Sequence, residues 1–146
     1  MSQIRQPGWE AMCQRNDQPI DFCNSFGGPS QISHTPELAA ALANISVGVN
    51  AKYRFQSDQR SYGVKDRWTV PIGGTADCED YVLAKILVLQ DAGFPVSAMV
   101  ILIGPLNNGR WHAKLGVQTS DGMVVLDSLR SRLGFRTAFS SWHMVR

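Results

Sequence analysis

The chain has 146 residues, 44% hydrophobic and 18% charged, which is enough for one domain with a core that needs no staples. Its formal charge is +2, with Lys and Arg dispersed, so no basic run points to a nucleic-acid partner. No apolar stretch approaches the roughly 18 residues of a membrane span.

The opening MSQIRQPGWEAM lacks the apolar centre of a signal peptide. The expectation is a cytoplasmic protein, or one whose export signal preceded this chain. Residues 1–33 hold Pro7, Gly8, Pro19, Gly27, Gly28 and Pro29 and read as an irregular wrap around the core. Three cysteines allow one pair and one free thiol. Cys13 and Cys23 are either a disulfide or two reduced thiols, depending on compartment, and Cys78 is the free one. Zinc is not expected, because no Cys-x-x-Cys or histidine cluster accompanies them.

The first helix opens at TPELAAALANISVGVNAKYRF. Thr35 can cap it, Pro36 suits its first position, and Leu38, Leu42, Ile45, Val49 and Tyr53 form one stripe. SDQRSYGVKDRWTVPIGG connects onward, with Tyr62 and Trp68 as anchors. A second helix spans about Cys78 to Ala92, capped by Asp77 and stopped by Gly93 and Pro95. Val82, Leu83, Ile86, Leu87, Val88 and Leu89 leave it little polar face, so it should be largely buried.

Strands are expected at 96–104, 110–118 and 123–129, with a hairpin turn at Asp121-Gly122. Helices followed by a strand meander predict one α+β domain over 1–146, an antiparallel sheet packed on the second helix. IGPLNNGRWH reads as a plain hairpin turn with a core tryptophan. The other reading is a loop of Asn107, Asn108 and Gly109 beside His112, with Trp111 walling a substrate.

Cys78 lies in the first turn of a helix, where exposed N–H groups and the macrodipole favour a thiolate. Of three histidines, His112 alone falls inside a predicted core strand and is the candidate base. Asp127 ends the apolar run VVL, where an acid is costly to bury unless paired. It could orient the imidazole or simply cap the next turn. With Asp121-Gly122 as the turn, His112 faces Ser131 and Asp127 is four residues off, a gap that a bulge, twist or shifted register would have to close.

GTADCEDYVLAKILVLQDAGFP, then WHAKLGV, then GMVVLDSL, together with YGVKDRWTVP and GWEAMCQRNDQPIDFC, resemble the bacterial transglutaminase-like cysteine peptidases. That family includes a periplasmic adhesin-cleaving protease. The resemblance implies a papain-like, transglutaminase-like fold with Cys78 as nucleophile, His112 as general base and acid, and Asp127 fixing the imidazole. It also implies a protein substrate such as a bacterial surface adhesin, a periplasmic location, and control of some members by a membrane receptor sensing cyclic di-GMP. Ser128 stands where the family usually has Asn.

Three carboxylates around a thiol raise its pKa unless a cation offsets them. Calcium takes such oxygen ligands, and the family binds it through acids flanking the nucleophile. That implies Asp77, Glu79 and Asp80 as metal ligands. Without metal, Asp77 caps the helix and the other two favour its dipole. Two rivals keep the fold: transglutaminase- or deamidase-type acyl transfer on glutamine with the same triad, and a non-catalytic binding domain.

Overall fold

The organising element is a helix whose apolar faces leave it nowhere to go but the interior. The computed structural model describes residues 3–4, 6–15, 23, 31–55, 68, 71, 73–106, 111–130, 133–135 and 143–145. In chain order these form β1 (Gln3–Ile4), α1 (Pro7–Arg15), α2 (Pro36–Lys52), β2 (Arg54–Phe55), β3 (Thr75–Ala76) and α3 (Cys78–Asp91). A 3-10 turn (Val96–Ala98) leads into β4 (Met99–Pro105), β5 (Trp111–Thr119), β6 (Gly122–Leu126), β7 (Gly134–Phe135) and β8 (His143–Val145).

Five strands join β1 in a sheet of order β1-β8-β4-β5-β6-β7, antiparallel apart from the β1–β8 pair. Val82, Leu83, Ile86 and Leu89 of α3 pack against Met99, Ile101 and Ile103 of β4 and Ala113, Leu115 and Val117 of β5. Each fully buried Leu or Ile contributes about 1.5–3 kcal/mol, so this layer fixes where the helix start lies. Asp77 caps α3 through a reciprocal capping box with Asp80. Gly93 adopts φ +93° just beyond its end. The buried cysteine helix on an antiparallel sheet is the architecture expected from the strand meander.

α2 also forms as expected, with Thr35 Oγ1 accepting from Leu38 N at 3.0 Å. Its last turn joins a small second cluster, in which Val49 packs with Ala76, Tyr81 and Ala84. Tyr81 Oη donates to Tyr53 O at 2.8 Å, tying the end of α2 to the beginning of α3.

The N-terminal stretch departs from expectation, because Pro7–Arg15 is helical. Pro7 occupies the first helical position, where its missing N–H costs nothing, and Gln6 Oε1 accepts from Trp9 N at 2.9 Å. Trp9 and Met12 are buried, and Trp9 meets Trp68 edge-to-face at 6.0 Å. Trp68 is thus the anchor expected of it, whereas Tyr62 lies outside the described residues. Cys13 and Cys23 are joined by a disulfide.

The hairpin register also differs. Thr119 pairs with Gly122 and Leu115 with Leu126, so the two-residue turn is Ser120-Asp121. Thr119 Oγ1 accepts from Asp121 N at 3.2 Å and donates to Gly122 O at 2.6 Å, while Gly122 takes φ +112° at the head of β6. The threonine hydroxyl, rather than an Asp-Gly pair at the centre of the loop, closes this turn.

Candidate active site

That register assembles half of the site. Extending the Leu115–Leu126 pairing by one step sets Asp127 opposite Lys114, with His112 two residues along β5 on the same face. The four-residue gap expected from an Asp121-Gly122 turn is therefore halved, which is within diagonal reach. His112 Nε2 lies 2.6 Å from Asp127 Oδ1, and both residues are 4% exposed. Lys114 Nζ stands 3.5 Å from Asp127 Oδ2.

Burial alone would push the Asp127 carboxyl up. The hydrogen bond from His112, the Leu129 N–H, and the charges of His112 and Lys114 outweigh it and hold the pKa at about 2. Asp127 is thus a carboxylate that only accepts, so the His112 Nε2 must carry the proton it donates. A neutral imidazole in that tautomer leaves Nδ1 as the basic nitrogen.

Asp127 also begins a turn. Its Oδ1 accepts from Leu129 N at 3.0 Å and its carbonyl from Arg130 N at 3.2 Å. The acid thus makes two sets of contacts, capping a turn and meeting the imidazole.

Cys78 opens α3 and packs against the main core. The backbone of Ala113, the residue after His112, hydrogen-bonds its sulfur. The thiol itself donates to Glu79 Oε2 at 3.0 Å, not to His112. Ala113 belongs to the sheet face covered by α3, whereas His112, Lys114 and Asp127 alternate to the other side. The structure therefore brings His112 and Asp127 together and sets Cys78 next door, turned toward Glu79.

Burial pushes the Cys78 thiol far above its ordinary value, and the charge of Glu79, its hydrogen bond and the charge of Asp77 push further. The Ala113 backbone opposes them. The helix start alone does not produce a thiolate against this surrounding.

Asp77 and Asp80 are buried and turned into the capping box: Asp80 N donates to Asp77 Oδ1 at 3.2 Å and Asp77 N to Asp80 Oδ2 at 3.4 Å. Among the described residues no three His, Cys, Asp or Glu side chains converge as a metal cage. The three acids offer calcium the right donor atoms, in a conformation that serves the helix cap and the thiol.

Three residues around Asp127 escaped sequence reasoning. Lys114 was legible, since it alternates with His112 along one strand. Lys85 interrupts the apolar run YVLAKILVL and is 1% exposed. Burial lowers its pKa to about 8 against the attraction of Asp127. Asn50 of α2 donates from Nδ2 to Asp127 O at 3.0 Å and to Arg130 O at 3.2 Å, and nothing in its helix marks it out.

Trp111 corrects another expectation: it is 61% exposed and not in the core. It pairs with Pro105 at the end of the β4–β5 ladder, past the last core positions Ile103 and Ala113. The loop residues Asn107, Asn108 and Gly109 lie outside the described residues.

A cysteine at the start of a buried helix, docked on a sheet that carries a buried His–Asp pair, defines the papain-like, transglutaminase-like class of folds. The family model of bacterial transglutaminase-like cysteine proteinases matches residues 2–142, and the chain belongs to that family. Among solved structures, calcium-bound LapG of Legionella pneumophila shares the fold with TM-score 0.61 at 21% identity, covering 77% of this chain. The EGTA-treated form of the same protein gives TM-score 0.61 at 22% identity over 77% of this chain. The match spans 65% of the calcium-bound LapG chain and 63% of the EGTA-treated one, under two thirds in both. No curated protein sequence matches the chain.

Proposed function

We propose that this protein is a cysteine endopeptidase acting on a protein substrate, with Cys78 as nucleophile, His112 as general base and acid, and Asp127 as the acid that orients the imidazole. The observation that carries this reading is the buried His112–Asp127 pair beside Ala113, on which the helix-borne Cys78 rests. His112 Nδ1 takes the thiol proton as sulfur bonds to the substrate carbonyl carbon. The C–N bond then breaks, and the leaving amine takes that proton from the imidazolium. Water, deprotonated by His112, splits the thioester, releasing the acid and restoring the thiol.

Calcium is part of the same reading. Asp77, Glu79 and Asp80 would hold it, and its charge would offset the carboxylates that suppress the thiolate. LapG has been solved both calcium-bound and EGTA-treated, which supports the idea for this relative. The Cys13–Cys23 disulfide supports action in an oxidising compartment such as the periplasm. There a large surface adhesin is the substrate class, and a membrane receptor the regulator, that the family suggests.

The test is cleavage of candidate polypeptides by the wild type and by Cys78→Ala, run beside a glutamine donor with a labelled amine. Chain cleavage lost in Cys78→Ala is the expected result. Residual cleavage above background removes Cys78 as nucleophile, and amine incorporation without cleavage replaces hydrolysis by acyl transfer.

A further inference from the structure

The Asp127 carboxylate projects from the head of a turn that is bonded both locally and from a distance. Within it, Arg130 N donates to Asp127 O and Leu129 N to Asp127 Oδ1. The long-range tie comes from α2. Asn50 Nδ2 reaches both Asp127 O at 3.0 Å and Arg130 O at 3.2 Å, across 77 and 80 residues of sequence. Both neighbours are carbonyl oxygens, so chemistry assigns the amide: only the NH2 can face them.

We propose that Asn50 is a positioning residue for the His112–Asp127 pair, holding from α2 the turn that presents the carboxylate. This rests on the triad reading above. Three observations converge on it. One amide group spends its two protons on the two carbonyls that bracket the turn, which fixes the turn rather than one atom. Its Oδ1 is buried with no hydrogen-bond partner among the described residues, so its own stability gain is offset by a stranded acceptor. Bonding energy alone therefore gives little reason for an asparagine here.

The third observation is where Asn50 stands. Its neighbour Val49 packs with Ala76, Tyr81 and Ala84, and Tyr81 Oη bonds Tyr53 O, so the last turn of α2 is fastened to the first turns of α3. α3 carries Cys78. Asn50 thus couples the element bearing the thiol to the turn bearing the orienting acid, and it sets the separation of the two halves of the site.

The experiment compares Asn50→Ala, Asn50→Asp, Asn50→Gln and the control Asp127→Ala in the full chain. Asn50→Asp keeps the shape but turns a carboxylate toward two carbonyls, and Asn50→Gln keeps the donors. Expected is a loss in kcat of about tenfold to a hundredfold for the Ala and Asp variants, the scale of a ~1 Å misplacement, with KM near wild type and, for Asn50→Asp, a lowered melting temperature in a chain still folded at the assay temperature. The proton NMR signal of His112 Nε2–H should broaden or vanish in both, and the Gln variant should recover part of kcat and of the signal. Wild-type kcat with an unchanged His112 signal in folded Asn50→Ala or Asn50→Asp overturns the proposal. If Asn50→Ala does not fold, Asn50→Asp decides alone. Full activity of Asp127→Ala would instead sink the triad reading on which it rests.

Discussion

His112 Nε2 and Asp127 Oδ1 stand 2.6 Å apart inside the protein, the first on β5 and the second one residue past the end of β6, where the extended register puts them on one face. The imidazole donates and the carboxylate accepts, so the ring is fixed with Nδ1 as its base. This is the half of the proposed site that a sheet can build without help. The other half depends on a thiol whose S–H now hydrogen-bonds to a carboxylate.

Asp127 makes the fold sensitive to acid. Its carboxyl sits at about 2 against an ordinary 3.8. A depressed folded pKa contributes stability above the unfolded value and loses it as pH falls toward the folded one. The difference corresponds to about 2 kcal/mol. In urea melts, wild type should therefore lose its advantage over Asp127→Asn between about pH 4 and pH 2. A gap that stays constant across that interval would show that the carboxylate is not held by its partners.

Lys85 also makes stability rise with pH, but here the charged form is a cost rather than a gain. Burial lowers its ammonium from 10.5 to about 8, so between those values the unfolded chain binds more protons and stability rises with pH. At neutral pH the charge is buried at a net cost on the order of 3 kcal/mol, the attraction of Asp127 included. Lys85→Met, close in volume, should therefore raise the denaturation midpoint at pH 7, with the advantage shrinking as pH climbs past 8. A variant less stable than wild type at pH 7 would mean that the ammonium is a net stabiliser there.

How much of this could be read beforehand depends on whether the cause was local. The Asp77 cap, the apolar run of α3 and the alternation of β5 are written in adjacent residues, and the fold followed. The contact of His112 with Asp127 was legible because a histidine inside a core strand and an acid ending an apolar run are rare where they stand. The turn was misplaced because a threonine hydroxyl outside the expected loop closes it, and α1 was missed because proline and glycine were read as breakers when Pro7 starts a helix. Trp111 was expected in the core beside a plain hairpin turn, while its place at the end of a ladder leaves it exposed. Asn50 could not be found at all, since its role exists only where the ends of two distant segments meet.

Glu79 is the side chain that most restrains the Cys78 thiol. It accepts the thiol proton at 3.0 Å, and after burial its charge is the largest force keeping Cys78 protonated. Glu79→Gln removes that charge and weakens the acceptor, so in excess chelator its Cys78 should react with iodoacetamide faster than wild type at pH 7. About tenfold is expected for each unit by which the thiol pKa falls. If Asp77, Glu79 and Asp80 hold calcium, adding the ion should raise both the wild-type alkylation rate and the melting temperature. Glu79→Gln, already relieved and short of one ligand, should respond weakly to it. Equal rates for the two proteins in chelator would show that the carboxylate does not restrain the thiol. A wild type whose rate and melting temperature ignore millimolar calcium would remove the ion from the proposal while leaving the triad intact.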